Sequence, residues 1–352
     1  MSGQSHIAAP CSDEELRELF GNLGFRTGCD SMLPVLRQAH KAAYVSDITI
    51  LIEGETGTGK QVLAHAVHQL DKKRCNNPFV TVHCSTINES LAESELFGHE
   101  PGAFSGAVHR RKGLFQAAHR GTLFLDDVND LPLALQPKLL DVIQRSKVRS
   151  VGSDAEAPID VRIVAAANQP MAPLVQQNKF RADLYHRLNV VKVRLPALRE
   201  RLGDLPVLLL DFARRRSDVY PGIVNIDPEL VQYLQVHSFP GNVRELEHAV
   251  ERALFGKTSG SCLELADWVE QTGGDEQESR QDPVGDAAES MMQAILHGGL
   301  PYCTALRQLE KKLLESALLA GGRTRREIAS RLQTSERTLY HKLRAFHLTH
   351  QP

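Results

Sequence analysis

Seven consecutive residues, Gly54-Glu55-Thr56-Gly57-Thr58-Gly59-Lys60, form the segment best suited to chemistry. Glycines at this spacing let backbone N–H groups converge on phosphate oxygens. A helix starting just after them turns the positive end of its dipole onto the same point. A lysine in the last position reaches the β- and γ-phosphates of a nucleoside triphosphate. Ile48–Glu53 before it is apolar and strand-like, and Gln61–Leu70 after it has a helical pattern. Strand, glycine-rich loop and helix in that order make a P-loop. A glycine-rich turn that binds nothing is the alternative, and the flanking pattern argues against it. One position departs: Gln61 stands where a Ser or Thr hydroxyl usually meets Mg²⁺. The ion must then use other ligands, water among them.

A second acidic constellation follows in Gly121-Thr-Leu-Phe-Leu-Asp126-Asp127. A buried apolar strand ending in carboxylates, downstream of a P-loop, is a Walker B arrangement. Asp126 is then expected to hold Mg²⁺, directly or through water, and Asp127 to orient or polarise the attacking water. Carboxylates at a strand end also serve as helix caps, which is the competing explanation. His65 and His68 lie three residues apart on the helix after the P-loop. They read as a polar face rather than a metal site, because no further ligand has recognisable spacing.

These groups need a scaffold that brings strand ends together. Strand-like runs at Ile48–Glu53, Phe79–His83, Thr122–Asp126, Val161–Ala166 and Val190–Leu195 alternate with helical stretches at Gln61–Leu70, Glu89–Phe97 and Leu135–Arg145. That alternation predicts an α/β fold, a parallel sheet covered by helices on both faces. The expected organisation is a short extension over 1–24 with one acidic amphipathic turn, then an α/β subdomain over 25–195. A helical-only lid over 196–270, an acidic linker over 271–303 and a helical C-terminal domain over 304–352 follow.

The 352 residues carry a formal net charge of −2, so the overall balance says little about partners. Six scattered cysteines without a CxxC pair, no basic-then-apolar leader and no long apolar run predict a reduced, cytoplasmic setting. The distribution of charge says more, with ten Lys/Arg against four Asp/Glu beyond Pro301. An amphipathic helix over Thr304–Ala320 stops at Gly321-Gly322. A helix over Arg325–Leu332, a turn at Gln333-Thr334 and a third helix over Ser335–Phe346 follow. The third helix bears Arg337, Thr338, His341, Lys342 and Arg344 and reads as the recognition helix of a helix-turn-helix. A basic solvated helix pair is the alternative.

With the two nucleotide motifs in place, the chain resembles the bacterial enhancer-binding proteins, the AAA+ activators of sigma-54 RNA polymerase. The resemblance covers roughly residues 25–270 and the C-terminal helices, whose module looks Fis-type. Its most specific element is Gly102-Ala103-Phe104-Ser105-Gly106-Ala107, close to the family's GAFTGA loop, with Ser105 keeping the hydroxyl of the usual Thr. In the family this loop rises from the ring to grip the sigma factor. On residues alone, one aromatic among small residues reads equally as a mobile loop or as a turn burying Phe104. Phe180-Arg181 through Arg187 resembles the arginine-finger segment, which implies that Arg181 and Arg187 reach the γ-phosphate held by a neighbouring subunit. Surface arginines on a helix are the other explanation. Pro240-Gly-Asn-Val-Arg244 resembles the sensor II motif, implying that Arg244 contacts nucleotide, and Leu195–Arg201 resembles the hinge between subdomains. The resemblance also implies ATP and Mg²⁺ as ligands, and sigma-54 RNA polymerase and upstream enhancer DNA as partners. It further implies a homo-oligomeric ring, hexameric in the family, or a hetero-oligomer with a paralogue.

Three departures cluster around hydrolysis. Asp127 stands where the family usually has Glu, His83 where it has the Asn that pairs with that carboxylate, and Ala167-Asn168 where sensor I usually ends Thr-Asn. They predict secure ATP binding with altered turnover. Two functions of one class therefore compete: a motor that remodels sigma-54 polymerase, and a DNA-binding regulator that uses ATP mainly as an assembly switch. An unrelated AAA+ remodeller is a third, set against by the loop around Phe104. The first 24 residues are too few for a receiver domain, so control by expression, an inhibitory partner or a paralogue is expected.

Overall fold

The computed structural model describes residues 12–272 except 87–88, 105–106, 218–219 and 221, with the side chains of 89–91 and 269–272 also excluded. Ser105 and Gly106, most of the acidic linker and the whole helix-turn-helix, including Arg337, Thr338, His341, Lys342 and Arg344, lie outside the described residues.

Five strands build the main sheet: β1 (Ile50–Glu53), β2 (Phe79–His83), β3 (Thr122–Asp126), β4 (Arg162–Ala167) and β5 (Val191–Arg194). Their order is β2-β3-β4-β1-β5, and every pairing is parallel. The inner strands β1, β3 and β4 are buried on both faces, whereas the edge strand β5 alternates Val191 and Val193 with exposed Lys192 and Arg194. Leu51, Leu123, Leu125, Ile163 and Ala165 face one core, while Ile50, Ile52, Phe124, Val164 and Ala166 face the other. Helices Gln136–Arg145 and Ala182–Leu188 close the first face. Helices Leu33–Ala43 and Lys60–Leu70 close the second.

The acidic stretch near the N-terminus is a full helix, Asp13–Asn22, rather than a single turn. Ser12 and Glu15 form a reciprocal capping box at its start. Leu16 and Phe20 are buried in the core that also holds Ile50 and Ile52. At the end of the sheet opposite the P-loop, Arg162 and Asp71 form an ion pair at 2.7 Å with both side chains fully buried. Asp71 compensates the Arg162 charge, and the guanidinium also donates to the carbonyls of Ala42 and Ala43.

The lid comprises helices Leu205–Arg215, Pro228–Gln235, Asn242–Gly256 and Leu265–Thr272. They enclose a separate core around Leu209, Leu230, Leu246, Val250 and Trp268. Expected from its sequence to be helical only, it also contains a two-residue parallel ladder between Asn225–Ile226 and Cys262–Leu263. Runs of two residues carry no periodicity, so the sequence pattern cannot announce them. Among the described residues, no helix is long and apolar enough to cross a membrane.

Candidate nucleotide-binding site

The P-loop joins β1 to the helix Lys60–Leu70. Gly57 and Gly59 adopt φ of 79° and 100°, a left-handed backbone that glycine accepts without a Cβ penalty. Gly57 has a second reason to lack a side chain. A Cβ there would lie 2.1 Å from the carbonyl oxygen of Gly241 in the lid. Lys60 folds back over the loop, its Nζ donating to the carbonyls of Gly54 at 2.8 Å and Glu55 at 3.1 Å. Burial depresses the ammonium pKa, against the opposing pull of Asp127 and Asp126. A phosphate group offers such a lysine a stronger acceptor than two carbonyls.

One cleft is lined by residues Thr56 to Gln61, by Asp126 and Asp127, and by Arg244 of the lid. Phe25, Leu208 and Phe212 add an apolar wall suited to the flat face of a nucleobase. Gly54, Glu55 and Asn168 are not in that wall. Gly54 and Glu55 supply the carbonyls under Lys60, and Asn168 donates its N–H to Asn129 Oδ1 at 3.2 Å.

Two carboxylates sit where β3 ends. Asp126 is the last strand residue, paired in register with His83 of β2. Asp127 turns out of the strand with φ 51° and ψ 50°. His83 Nδ1 lies 3.2 Å from Asp126 Oδ2, so the imidazole meets Asp126 and not Asp127, the partner expected from the sequence. The register sets Asp126 level with His83, and the left-handed turn at Asp127 takes the next side chain away. Asp127 has its pKa raised by burial and then by the charge of Asp126, with Lys60 opposing. Cys84, next to His83, is a buried thiol pushed up to about 12, mainly by desolvation. The site therefore offers two carboxylates, an imidazole and an ammonium beside a cradle of N–H groups.

The lid grips the loop from above. Gly57 O accepts from the N–H groups of Val243 at 3.0 Å and Arg244 at 3.3 Å. Asn242 is fully buried. It donates to Thr56 O at 3.0 Å and Glu55 Oε2 at 3.2 Å, and its Oδ1 accepts from Leu198 N–H at 2.8 Å. Glu55 is forked by Arg199 at 2.8 and 2.5 Å, which with Asn242 brings its carboxyl to about 2. Arg201, buried, donates to Thr58 O at 2.7 Å. Asp204 collects Thr27 Oγ1 and the N–H groups of Gly28 and Cys29. Sequence reasoning singled out Leu195–Arg201 as a hinge and missed that Arg199, Arg201 and Asn242 hold the P-loop itself. The clustered Arg and Asp in Leu198–Asp204 are the available signal.

Two predicted groups stand apart from the cleft. Arg181 is exposed and forks onto Asp183 at 2.8 and 3.1 Å. Arg187 is exposed and touches only the Ile143 carbonyl, at 3.4 Å, among its described hydrogen bonds. Phe104 is 39% exposed, with its ring edge-on to His99 at 5.0 Å, so it is not a core residue. Gly102 N–H donates to Ala107 O at 2.8 Å, closing the base of the loop. A hairpin formed by Lys147–Arg149 and Glu156–Pro158 stands beside it, and Gly152 lies against Ala103.

Comparison with known proteins gives the family. Residues 27–194 match the sigma-54 interaction domain, and residues 199–284 match an AAA+ ATPase lid domain. GlrR, a transcriptional regulatory protein of Escherichia coli K12, is 38% identical over 330 residues, covering 94% of this chain and 70% of GlrR. HyfR, a DNA-binding transcriptional activator of the same organism, is 42% identical over 291 residues, or 81% of this chain and 42% of HyfR. The chain thus spans less than half the length of that relative. Crystalline NtrX from Brucella abortus in complex with ATP superposes with a TM-score of 0.62 at 29% identity, over 92% of this chain and 69% of NtrX. The matched domains take in the α/β sheet and its helical lid, and the chain belongs to the family of sigma-54-interacting AAA+ transcriptional regulators.

Proposed function

We propose that this chain is a sigma-54-dependent transcription activator that binds upstream DNA and uses ATP binding and hydrolysis to remodel sigma-54 RNA polymerase. The observation that carries the reading is one chain pairing a nucleotide cleft with Phe104 on an exposed small-residue loop. A P-loop alone would serve any nucleotide-driven machine. An exposed aromatic flanked by small residues is a fit anchor for a transient protein contact.

ATP with Mg²⁺ suits the cleft. The left-handed glycines leave N–H groups free to converge, Lys60 caps the loop, and Asp126 supplies an oxygen ligand of the type Mg²⁺ prefers. Magnesium, when bound, neutralises charge on the phosphoryl oxygens. Asp127 orients the attacking water, and its raised affinity for protons suits a group that polarises that water. Arg244 reports nucleotide to the lid. Arg181 and Arg187 point to a ring, because an exposed arginine outside its own cleft completes a site only in a neighbouring subunit. The basic C-terminal segment with Arg337 and Lys342 is the proposed DNA reader.

A second reading keeps ATP as an assembly switch with weak turnover. The placement of His83 on Asp126 favours it, since the catalytic carboxylate Asp127 then lacks the expected partner. Steady-state ATPase measurements on the full chain, with and without DNA, paired with open-complex formation by purified sigma-54 polymerase, separate the two. The motor reading predicts that Lys60→Ala abolishes both while DNA binding persists. Strong activation by that variant would end it.

A further inference from the structure

The pairing of His83 with Asp126 has no explanation in the fold: His83 is at a strand end with its side chain half exposed, and no core packing requires it. It stands at the carboxylate expected to face the metal of the bound nucleotide. That metal lacks its usual hydroxyl ligand, because Gln61 follows Lys60. We propose, resting on the nucleotide reading above, that His83 is a direct ligand of the nucleotide-bound divalent cation. Nδ1 and Asp126 Oδ2 bind it side by side and favour a transition-metal–nucleotide complex, with Mn²⁺ or Co²⁺, over the magnesium complex.

Geometry carries this. Neighbouring ligands about 2.1 Å from an octahedral ion are about 3 Å apart. Nδ1 and Oδ2 are 3.2 Å apart and share a hydrogen bond, so an ion bound by both takes the place of that proton, with the imidazole then carrying its N–H on Nε2 and the shared proton released to water. The backbone that carries both side chains is fixed. Parallel register sets His83 level with Asp126, and Thr86 Oγ1 donates to the His83 carbonyl at 3.1 Å, fixing the turn that ends β2. The remaining positions fall to triphosphate oxygens and water. Imidazole nitrogen is a poor ligand for magnesium, and first-row ions take it more readily, least for Mn²⁺ and rising through Co²⁺.

Pulsed electron spin resonance on the full chain tests this, with Mn²⁺ and ATPγS added to metal-free protein. Coordinated imidazole adds nitrogen modulation to the manganese echo. Growth with ¹⁵N-histidine must change that modulation, which separates protein nitrogen from adenine nitrogen without any mutation. His83→Ala should remove it, and should narrow the manganese-over-magnesium preference in nucleotide affinity by about tenfold, the scale on which metal-site partners act. Bound manganese nucleotide without protein-derived nitrogen modulation would overturn the proposal and leave the nucleotide site standing. Unchanged modulation in His83→Ala would also overturn it. Failure to bind nucleotide with either ion would remove this proposal and the P-loop reading together.

Discussion

Asn242 offers the sharpest test of how the lid holds the P-loop. Its side chain is fully buried and bridges three partners: Leu198 N–H, Thr56 O and Glu55 Oε2. Its backbone is left-handed, with φ 55°. Asn242→Ala removes all three bonds and forces a Cβ residue with no local hydrogen bond into that conformation. The Leu198 N–H is buried, so leaving it unpaired costs about 1–3 kcal/mol. Thr56 is exposed, so water replaces the lost bond there and the cost is about 0.5–1.5 kcal/mol. The left-handed backbone adds about 1–2 kcal/mol for alanine. Glu55 keeps Arg199, so its contribution is small. Together the loss is about 2.5–6.5 kcal/mol by urea denaturation of the full chain. Asn242→Gly separates the two causes, since it loses the same bonds but tolerates the backbone, and should recover about 1–2 kcal/mol. Both variants should weaken nucleotide binding, because the loop loses its upper support. A loss below about 1 kcal/mol in Asn242→Ala, or a glycine variant no more stable than the alanine one, would refute the reasoning.

Three further outcomes follow from the structure. Asp71→Asn should cost about 3–5 kcal/mol in the same denaturation assay by stranding the buried Arg162 charge, and Asp71→Asn with Arg162→Met should recover much of that loss. Phe104→Ala should leave ATPase activity and folding intact, with at most about 0.5–1.5 kcal/mol lost from the His99 ring contact, while open-complex formation disappears. Mixing inactive Arg187→Ala with inactive Lys60→Ala subunits should restore part of the ATPase rate, because some interfaces then pair an intact loop with an intact arginine. Absence of rescue in rings proven to be mixed would count against action in trans.

Much of the scaffold is legible from residues alone because its signals are local. Buried parallel strands must be apolar on both faces, so Thr122–Asp126 stands out with the boundaries that the structure shows. The P-loop announces itself because phosphate chemistry demands glycine at stated positions and a lysine after them. Elsewhere the local signal was thin. One amphipathic turn near the N-terminus is a helix that puts Leu16 and Phe20 into the core, and two-residue ladders have too few residues to carry a period.

Distance along the chain separates what only the folded molecule decides. Whether His83 meets Asp126 or Asp127 depends on a register between strands 43 residues apart and on a left-handed turn at one residue. Residue types constrain neither, since both candidates are aspartates next to each other in sequence. Asn242 and Arg199 reach the P-loop from 187 and 144 residues away. No spacing rule links positions that far apart, because the contact exists only once the lid closes over the sheet. Phe104 is the same kind of case. Its composition fits a buried turn and an exposed loop equally, and only tertiary packing leaves the ring 39% exposed and edge-on to His99.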